Sequence, residues 1–353
     1  MLIKLVVLAS MLAVPSAFAD ELIAPWPISI GKIERLAKQR TCEAQPAPVS
    51  LLSTKTIYEE DDASRTEIDP EAQAKYLKQI APVRKYLRGV MALANSFALS
   101  HGENRVAGQC AVRSIAEWAK AGALIDAETQ IAMFNRATFL AGIASAYVQI
   151  RQSPELTLED RSAIEGWLST LSAKTRVFYE AKRQSVTVAP NNIQYWGSLG
   201  VAMAAIATGD RQSLDWALEA VRLGACQATA DGGLPRELAR KQRARHYHFF
   251  AIAPLVMLAE IAESNGGPGY QTCDGALHRV ITFALASIDD PALIEDLSAA
   301  KQLAMGSLKS ETDLAWLEFY VARFPERAWK LPELRPLSNS YLGGNLTSLL
   351  NQP

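Results

Sequence analysis

From about Glu71 onward nearly every stretch of the chain carries a helical period, and no stretch of any length alternates apolar and polar residues as a half-buried strand would. Phe139, Ile143, Ala146 and Ile150 recur at spacings of four, three and four, as do Leu214, Leu218, Val221 and Ala225; each series is one apolar stripe. The breaks use ordinary turn formers: "TGD" from Thr208, "DGGLP" from Asp231 and "NGGPG" from Asn265. Helices joined by such turns pair as antiparallel hairpins, and many in succession predict an all-α bundle, a solenoid or a closed α/α toroid. The absence of a fixed-period repeat weighs against a regular solenoid. No linker divides the chain, so one domain is expected.

The N-terminus reads differently. Lys4, the apolar run Leu5 to Val14 and Ala17-Phe18-Ala19 before Asp20 have the pattern of a secretory signal peptide over residues 1–19. Residues 20–353 are then the mature domain, opening with an irregular, Pro-containing segment to about residue 53. The apolar run is too short to span a bilayer, and no later stretch supplies about 20 uninterrupted apolar residues. A periplasmic protein with no membrane anchor is expected. In an oxidising compartment the four cysteines pair in one of three ways. The preferred set is Cys42–Cys110, joining an irregular stretch to a helical one, with Cys226–Cys273; free buried thiols at Cys226 and Cys273 are the alternative.

The formal net charge of −1 says little about partners, but its distribution says more. "PRELARKQRARHYHFF", Pro235 to Phe250, gathers Arg236, Arg240, Lys241, Arg243 and Arg245 with His246 and His248. On one continuous helix Arg243, His246 and Phe250 would share a stripe, with Arg236, Arg240 and Tyr247 on or beside it. Guanidinium forks match carboxylates and phosphates; a solvated basic face is the plain alternative. Nucleic acid is a poor partner for an exported, charge-balanced chain, whereas an anionic polysaccharide suits one. "PNNIQYWG", Pro190 to Gly197, sets two amides at the mouth of an apolar helix, with Asn191 the better cap and Asn192 free to meet a ligand. "YEEDDASR", Tyr58 to Arg65, reads by itself as a solvated loop. Zinc spacing, a nucleophile elbow, a P-loop and a dinucleotide fingerprint are all missing, so no metal or cofactor is expected. Glu237 and Glu260 are acids a hydrolytic mechanism could use, but nothing in the sequence pairs them.

The motifs "YEEDDASR" (58–65), "EWAKAGAL" (117–124), "NNIQYW" (191–196), "GLPRELARKQRA" (233–244), "YHFFAIAPL" (247–255), "AWLEFY" (315–320) and "LGG" (342–344) stand in the order and rough spacing of a known family. The chain resembles the periplasmic alginate lyases, the poly(mannuronate) lyases of polysaccharide lyase family 5, over nearly all of its mature length. The resemblance implies an incomplete α/α barrel with a deep cleft for alginate or another polyuronate, and it implies the Cys42–Cys110 pairing. It also implies β-elimination: a neutralised carboxylate acidifies the neighbouring C5 proton, a base removes that proton, and an acid protonates the departing oxygen.

By the family's motifs Asn192 and Arg243 are the carboxylate-neutralising pair, and Tyr58 is a cleft tyrosine. Two positions depart from the pattern: Ile193 stands where the family carries a histidine, and Phe250 where it carries its catalytic tyrosine. Thr138 and Tyr341 likewise replace a cleft Trp and an Arg. The expectation is therefore a lyase with relocated acid and base groups, His246 first and Tyr247 and His248 behind it. Asn192, Arg243, Tyr58, Arg240, Gln194 and Tyr195 are expected to hold substrate. A catalytically silent pseudo-lyase that binds anionic polysaccharide is the alternative, and a polysaccharide export assembly is a further candidate partner.

Overall fold

A computed structural model describes residues 21–183, 190–304 and 314–351. The expected signal peptide lies outside the described residues. The first helices are α1 (Pro70–Leu99), α2 (Arg105–Lys120), α3 (Gln130–Ile150) and α4 (Leu158–Arg183). There follow α5 (Asn192–Thr208), α6 (Arg211–Ala225), the short α7 (Pro235–Leu238), α8 (Ala244–Ser264) and α9 (Thr272–Asp289). Helices α10 (Ala292–Ser298) and α11 (Leu317–Arg323) lead to the C-terminal strap, with α12 (Leu331–Leu334) and α13 (Leu346–Leu350).

The packing alternates. Helices α1, α3, α5 and α8 touch in that order as an inner row, while α2 and α4, and α6 and α9, pack outside them. Nearly every residue of α5 from Asn192 to Ala207 is buried, and α3 and α8 are apolar on almost all sides, as inner helices must be. Helix α11 packs on α8, and α13 packs on both α11 and α1, so the C-terminal strap links the last inner helix to the first. The expected α/α toroid is the observed fold. One buried apolar cluster runs from Leu22 to Leu349, and it includes Trp26 from the irregular N-terminal segment.

The turns follow the expected chemistry. Gly209 closes α5 in the left-handed conformation (φ 75°), and Asp210 caps α6 by accepting from the Ser213 N–H at 3.0 Å. Asp69 caps α1, with Pro70 in the first turn. Both expected disulfides are present, with Cα–Cα distances of 5.5 Å for Cys42–Cys110 and 5.4 Å for Cys226–Cys273. Free thiols at the second pair are thereby excluded.

The described residues do contain short strands, such as β1 (Leu51–Leu52) pairing in parallel with β2 (Asp126–Ala127); two-residue strands leave no alternation to read. Two stretches, Gln130–Ile150 and Lys241–Ser264, are also long and apolar enough to cross a membrane, and 78% of the apolar window of each is buried inside the molecule. Their hydropathy is that of helices enclosed by other helices.

The inner row leaves no space between α3 and α5. A Cβ at Gly200 would strike the Ala137 carbonyl oxygen on the facing backbone. Gly200→Ala is expected to destabilise the fold by about 1–3 kcal/mol, the ordinary cost of overpacking, read as a lower midpoint in thermal or denaturant unfolding.

Candidate active site

The first turns of α3, α5 and α8 open onto one cleft of about 270 Å³, completed by Tyr76 and Arg84 of α1 and by the loop around Tyr58. Ile131 and Phe134 come from α3, Asn192 and Ile193 from α5, and His246, Tyr247 and Phe250 from α8. Because these helices start at the same end, their positive N-terminal poles face the cleft together. Among the described residues its lining also carries four cations, Lys55, Arg65, Arg84 and Arg240, and no carboxylate.

The acid-rich loop owes its shape to one residue. Asp62 accepts from the backbone N–H groups of Ser64, Thr66 and Glu67 and from the Ser64 and Thr66 hydroxyls. Those bonds, the Ser64 hydroxyl foremost, hold its carboxyl well below the usual carboxylate range. The fold sends Tyr58 and Arg65 to the cleft at either end of the turn. The Tyr58 hydroxyl pairs with that of Tyr247. The Arg240 guanidinium lies 3.9 Å from the Tyr247 ring centroid and 5.3 Å from that of Tyr58, and donates to the Arg65 carbonyl. Burial pushes the Tyr247 hydroxyl well above its ordinary value, so it stays protonated at neutral pH.

His246 stands on the cleft wall with its ring parallel to that of Phe250, interplanar angle 10° and centroids 6.4 Å apart, and its centroid 5.3 Å from Tyr247. The expected one-turn relation of His246 and Phe250 holds because both lie in α8. The longer extrapolation does not. The segment 235–250 breaks after α7, passes through Lys241 at φ 47° and resumes at Ala244. This break shifts the phase, so Arg240 lines the cleft. Arg243 instead donates its Nε proton to the Thr66 carbonyl at 2.7 Å and anchors the loop.

Other expected site residues also move. His248 is 0% exposed; its Nε2 accepts from the Leu234 N–H at 2.9 Å, and Nδ1 lies 2.7 Å from the Ala244 carbonyl. Burial lowers its pKa to about 4, and it pins the start of α8 to the preceding turn, with no place in the cleft. Tyr195, 1% exposed, donates to the Pro190 carbonyl at 3.2 Å within the core rather than facing substrate. Asn191 occupies the cap position of α5 but makes no side-chain cap bond. The capping is supplied by Glu237, whose carboxylate accepts from the Asn192 N–H at 2.9 Å and from Asn192 Nδ2 at 2.8 Å. Asn192 thus reaches the cleft with one amide proton already committed. Gln194 lies in an adjoining chamber. Ile193 and Phe250 both line the cleft, and the Trp196 indole donates to the Phe250 carbonyl at 2.9 Å, locking α5 to α8 beside them. Thr138 and Tyr341 lie outside the cleft lining; Tyr341 packs near Trp196 and Phe139.

Sequence reasoning missed Lys55 and Arg84 altogether and did not give Arg65 a role. Only Arg65 sat inside a quoted motif; the others come from segments whose approach to α8 is a tertiary fact. It also left Glu237 unpaired, although it lies two residues after the Pro that begins α7.

Glu237 and His248 load the pH dependence in opposite directions. Burial pushes the Glu237 carboxyl up to about 7 from 4.5, so the native state binds the extra proton and stability falls as pH rises through that window. His248 is lowered from 6.5 to about 4, so its contribution is lost as pH falls through that range. Across pH 4.5 to 6.5 the two slopes oppose. Glu237→Gln removes one of them, and the variant's stability relative to wild type is expected to rise by about 2 kcal/mol between pH 5 and 7. Denaturant midpoints at the two pH values measure it.

Fold and site together define a helical toroid with a cation-lined cleft. Residues 53–294 match the alginate lyase family model. Among curated relatives, an alginate lyase of Pseudomonas fluorescens is 31% identical, covering 87% of this chain and 84% of its own length. One of Pseudomonas aeruginosa is 30% identical, covering 98% and 95%. The chain belongs to the alginate lyase family. Its fold is similar to that of alginate lyase A1-III from Sphingomonas species A1 (TM-score 0.74, 22% identity, 95% and 91% coverage). It is also similar to a histidine-to-alanine variant of A1-III complexed with tetrasaccharide (TM-score 0.75, 22% identity, 90% and 89% coverage).

Proposed function

We propose that this protein is a polysaccharide lyase that cleaves a uronate-containing anionic polysaccharide by β-elimination, using acid and base groups other than those its motifs lead one to expect. The observation that carries this reading is the cleft lining: among the described residues, four cations without a carboxylate, in a chain whose net charge is −1. By the order of its motifs the protein resembles the poly(mannuronate) lyases of polysaccharide lyase family 5. It is exported to the periplasm by a signal peptide, and residues 20–353 form one domain.

In this reading Arg240 meets the uronate carboxylate, assisted by Arg84 and by the remaining amide proton of Asn192. Neutralising the carboxylate stabilises the enolate-like intermediate. His246 accepts the C5 proton. The electron pair left on C5 forms the C4–C5 double bond, the C4–O bond breaks, and the hydrogen-bonded pair Tyr58 and Tyr247 protonates the departing oxygen. Ile193 and Phe250 do no proton transfer; they are walls.

The test is incubation with alginate, polymannuronate and polyguluronate while following the ultraviolet absorbance of the unsaturated product. Product from at least one polymer, lost in His246→Ala, supports the reading. Ile193 and Phe250 favour a second reading, binding without turnover. It predicts silence on every polymer with binding that Arg240→Ala removes. The solved A1-III variants with histidine-to-alanine and tyrosine-to-phenylalanine changes, each complexed with tetrasaccharide, indicate that a member of this family can hold oligosaccharide with such groups removed.

A further inference from the structure

Glu237 is a buried acid that the proposed reaction leaves unused. It stands behind Asn192, 1% exposed and outside the cleft lining, and its two oxygens take the Asn192 N–H at 2.9 Å and Asn192 Nδ2 at 2.8 Å. Asn192, 2% exposed, does line the cleft. A side chain that meets the cleft is thus oriented from the rear by a group that can change its charge.

A carboxylate only accepts hydrogen bonds, so it draws the amide nitrogen toward itself and turns the amide oxygen away. An oxygen turned to the cleft repels a uronate carboxylate, whereas an N–H donor binds one. A carboxylic acid can donate. Once protonated, Glu237 can give its O–H to Asn192 Oδ1 after the amide turns over, while its other oxygen keeps the backbone N–H. Both Nδ2 protons then face the cleft.

The surroundings let this acid titrate near neutral pH. Burial pushes its carboxyl up to about 7, against the lowering effect of the Asn192 bonds and of Arg240 and Arg236. Tyr195 on α5 and Tyr247 on α8 face it, and burial keeps both protonated. Arg65 and Lys182 line the chamber that Glu237 borders. On α8, His248 is buried neutral and Arg245 donates to the Ser287 and Leu303 carbonyls. In the turn after α7, Lys241 is followed by Arg243, which is tied to the Thr66 carbonyl. Helix α10 also touches α7, but its Glu295 is paired with Lys301 and its Asp296 lines a separate groove.

We infer that Glu237 is a positioning residue whose proton turns the Asn192 amide, so that the protonated form offers a uronate carboxylate two donors and the ionised form one. The inference rests on the lyase reading and deepens it. Binding of a carboxylate draws a proton into the protein, and affinity falls as pH rises through the range in which Glu237 ionises.

Calorimetric titration of tetramannuronate into the chain from residue 20 tests it. His246→Gln serves as the parent, since it is expected not to cleave and has no imidazole whose charge would follow pH. The parent is expected to bind about five- to tenfold tighter at pH 6 than at pH 8, where the uronates carry the same charge. At pH 7.5 it is expected to take up about half a proton on binding, read from buffers of unlike ionisation enthalpy. Glu237→Gln presents one donor and one acceptor at every pH, as the protonated acid does. Added to the parent, it is expected to bind equally at both pH values and about five- to tenfold tighter than the parent at pH 8. Asn192→Ala is expected to bind weakly and equally at both. A parent whose affinity does not change with pH overturns the switch, as does a Glu237→Gln variant weaker than the parent at pH 8. Dependence on pH that persists in Asn192→Ala overturns it too. A parent that binds no tetramannuronate at either pH overturns the underlying polyuronate reading, an outcome that loss of the switch does not produce.

Discussion

His246→Ala is expected to lower kcat on the preferred polyuronate by about 10²–10⁴-fold, the usual cost of removing a general base, with KM changed little. The split follows from geometry. The imidazole stands on the cleft wall beside Tyr247 and Phe250, while the cations proposed to hold the polymer's charge sit on other elements. A base contributes in the transition state, whereas the cations act in ground state and transition state alike. His246→Gln distinguishes titration from hydrogen bonding, since it keeps a polar side chain and cannot accept the proton, and it is expected to be as impaired as the alanine variant. His248→Gln serves as the contrast: its expected defect is in stability, because both nitrogens of that buried ring serve the backbone. If His246→Ala retains wild-type kcat, the base lies elsewhere.

Arg240→Ala is expected to weaken polyuronate binding by roughly 10- to 100-fold, the equivalent of losing charge-assisted hydrogen bonds worth about 1.5–3 kcal/mol. Arg240→Lys should fall between, since it keeps the charge and loses the fork. Arg243→Ala is expected to bind nearly as wild type and to lose some stability, because Arg243 ties the Thr66 carbonyl and does not line the cleft. The pair decides between motif and geometry. Motif alignment assigns the grip to Arg243, whereas we propose Arg240, which lines the cleft. Titrations with tetramannuronate, alongside unfolding midpoints, separate binding from stability; a larger binding loss in Arg243→Ala than in Arg240→Ala would sink the assignment.

Much of the fold was legible because helix period and turn chemistry are local. The stripe from Phe139 to Ile150, the Gly209 turn and the Asp210 cap needed no knowledge of distant residues. The site was legible only in part. His246 and Phe250 could be paired because one unbroken helix carries both. Arg243 could not be placed, because the left-handed backbone at Lys241 interrupts the period on which that inference stood. Asn191 looked like the cap, but the carboxylate that does the capping arrives from Glu237, 45 residues beyond Asn192.

The sequence alone therefore determined that the chain is a succession of helical hairpins, that it can pair its cysteines, and that Ile193 and Phe250 carry no proton-transfer group. Those are properties of local period and of side-chain chemistry, which do not depend on where the chain turns. Only the tertiary structure decided which charges meet. It brought Lys55, Arg65 and Arg84 from two segments to Arg240 and, among the described residues, left the cleft lining without a carboxylate. It also withdrew His248 and Tyr195 into the core. Electrostatics acts through space, so the character of the cleft depends on contacts that no single stretch of sequence contains.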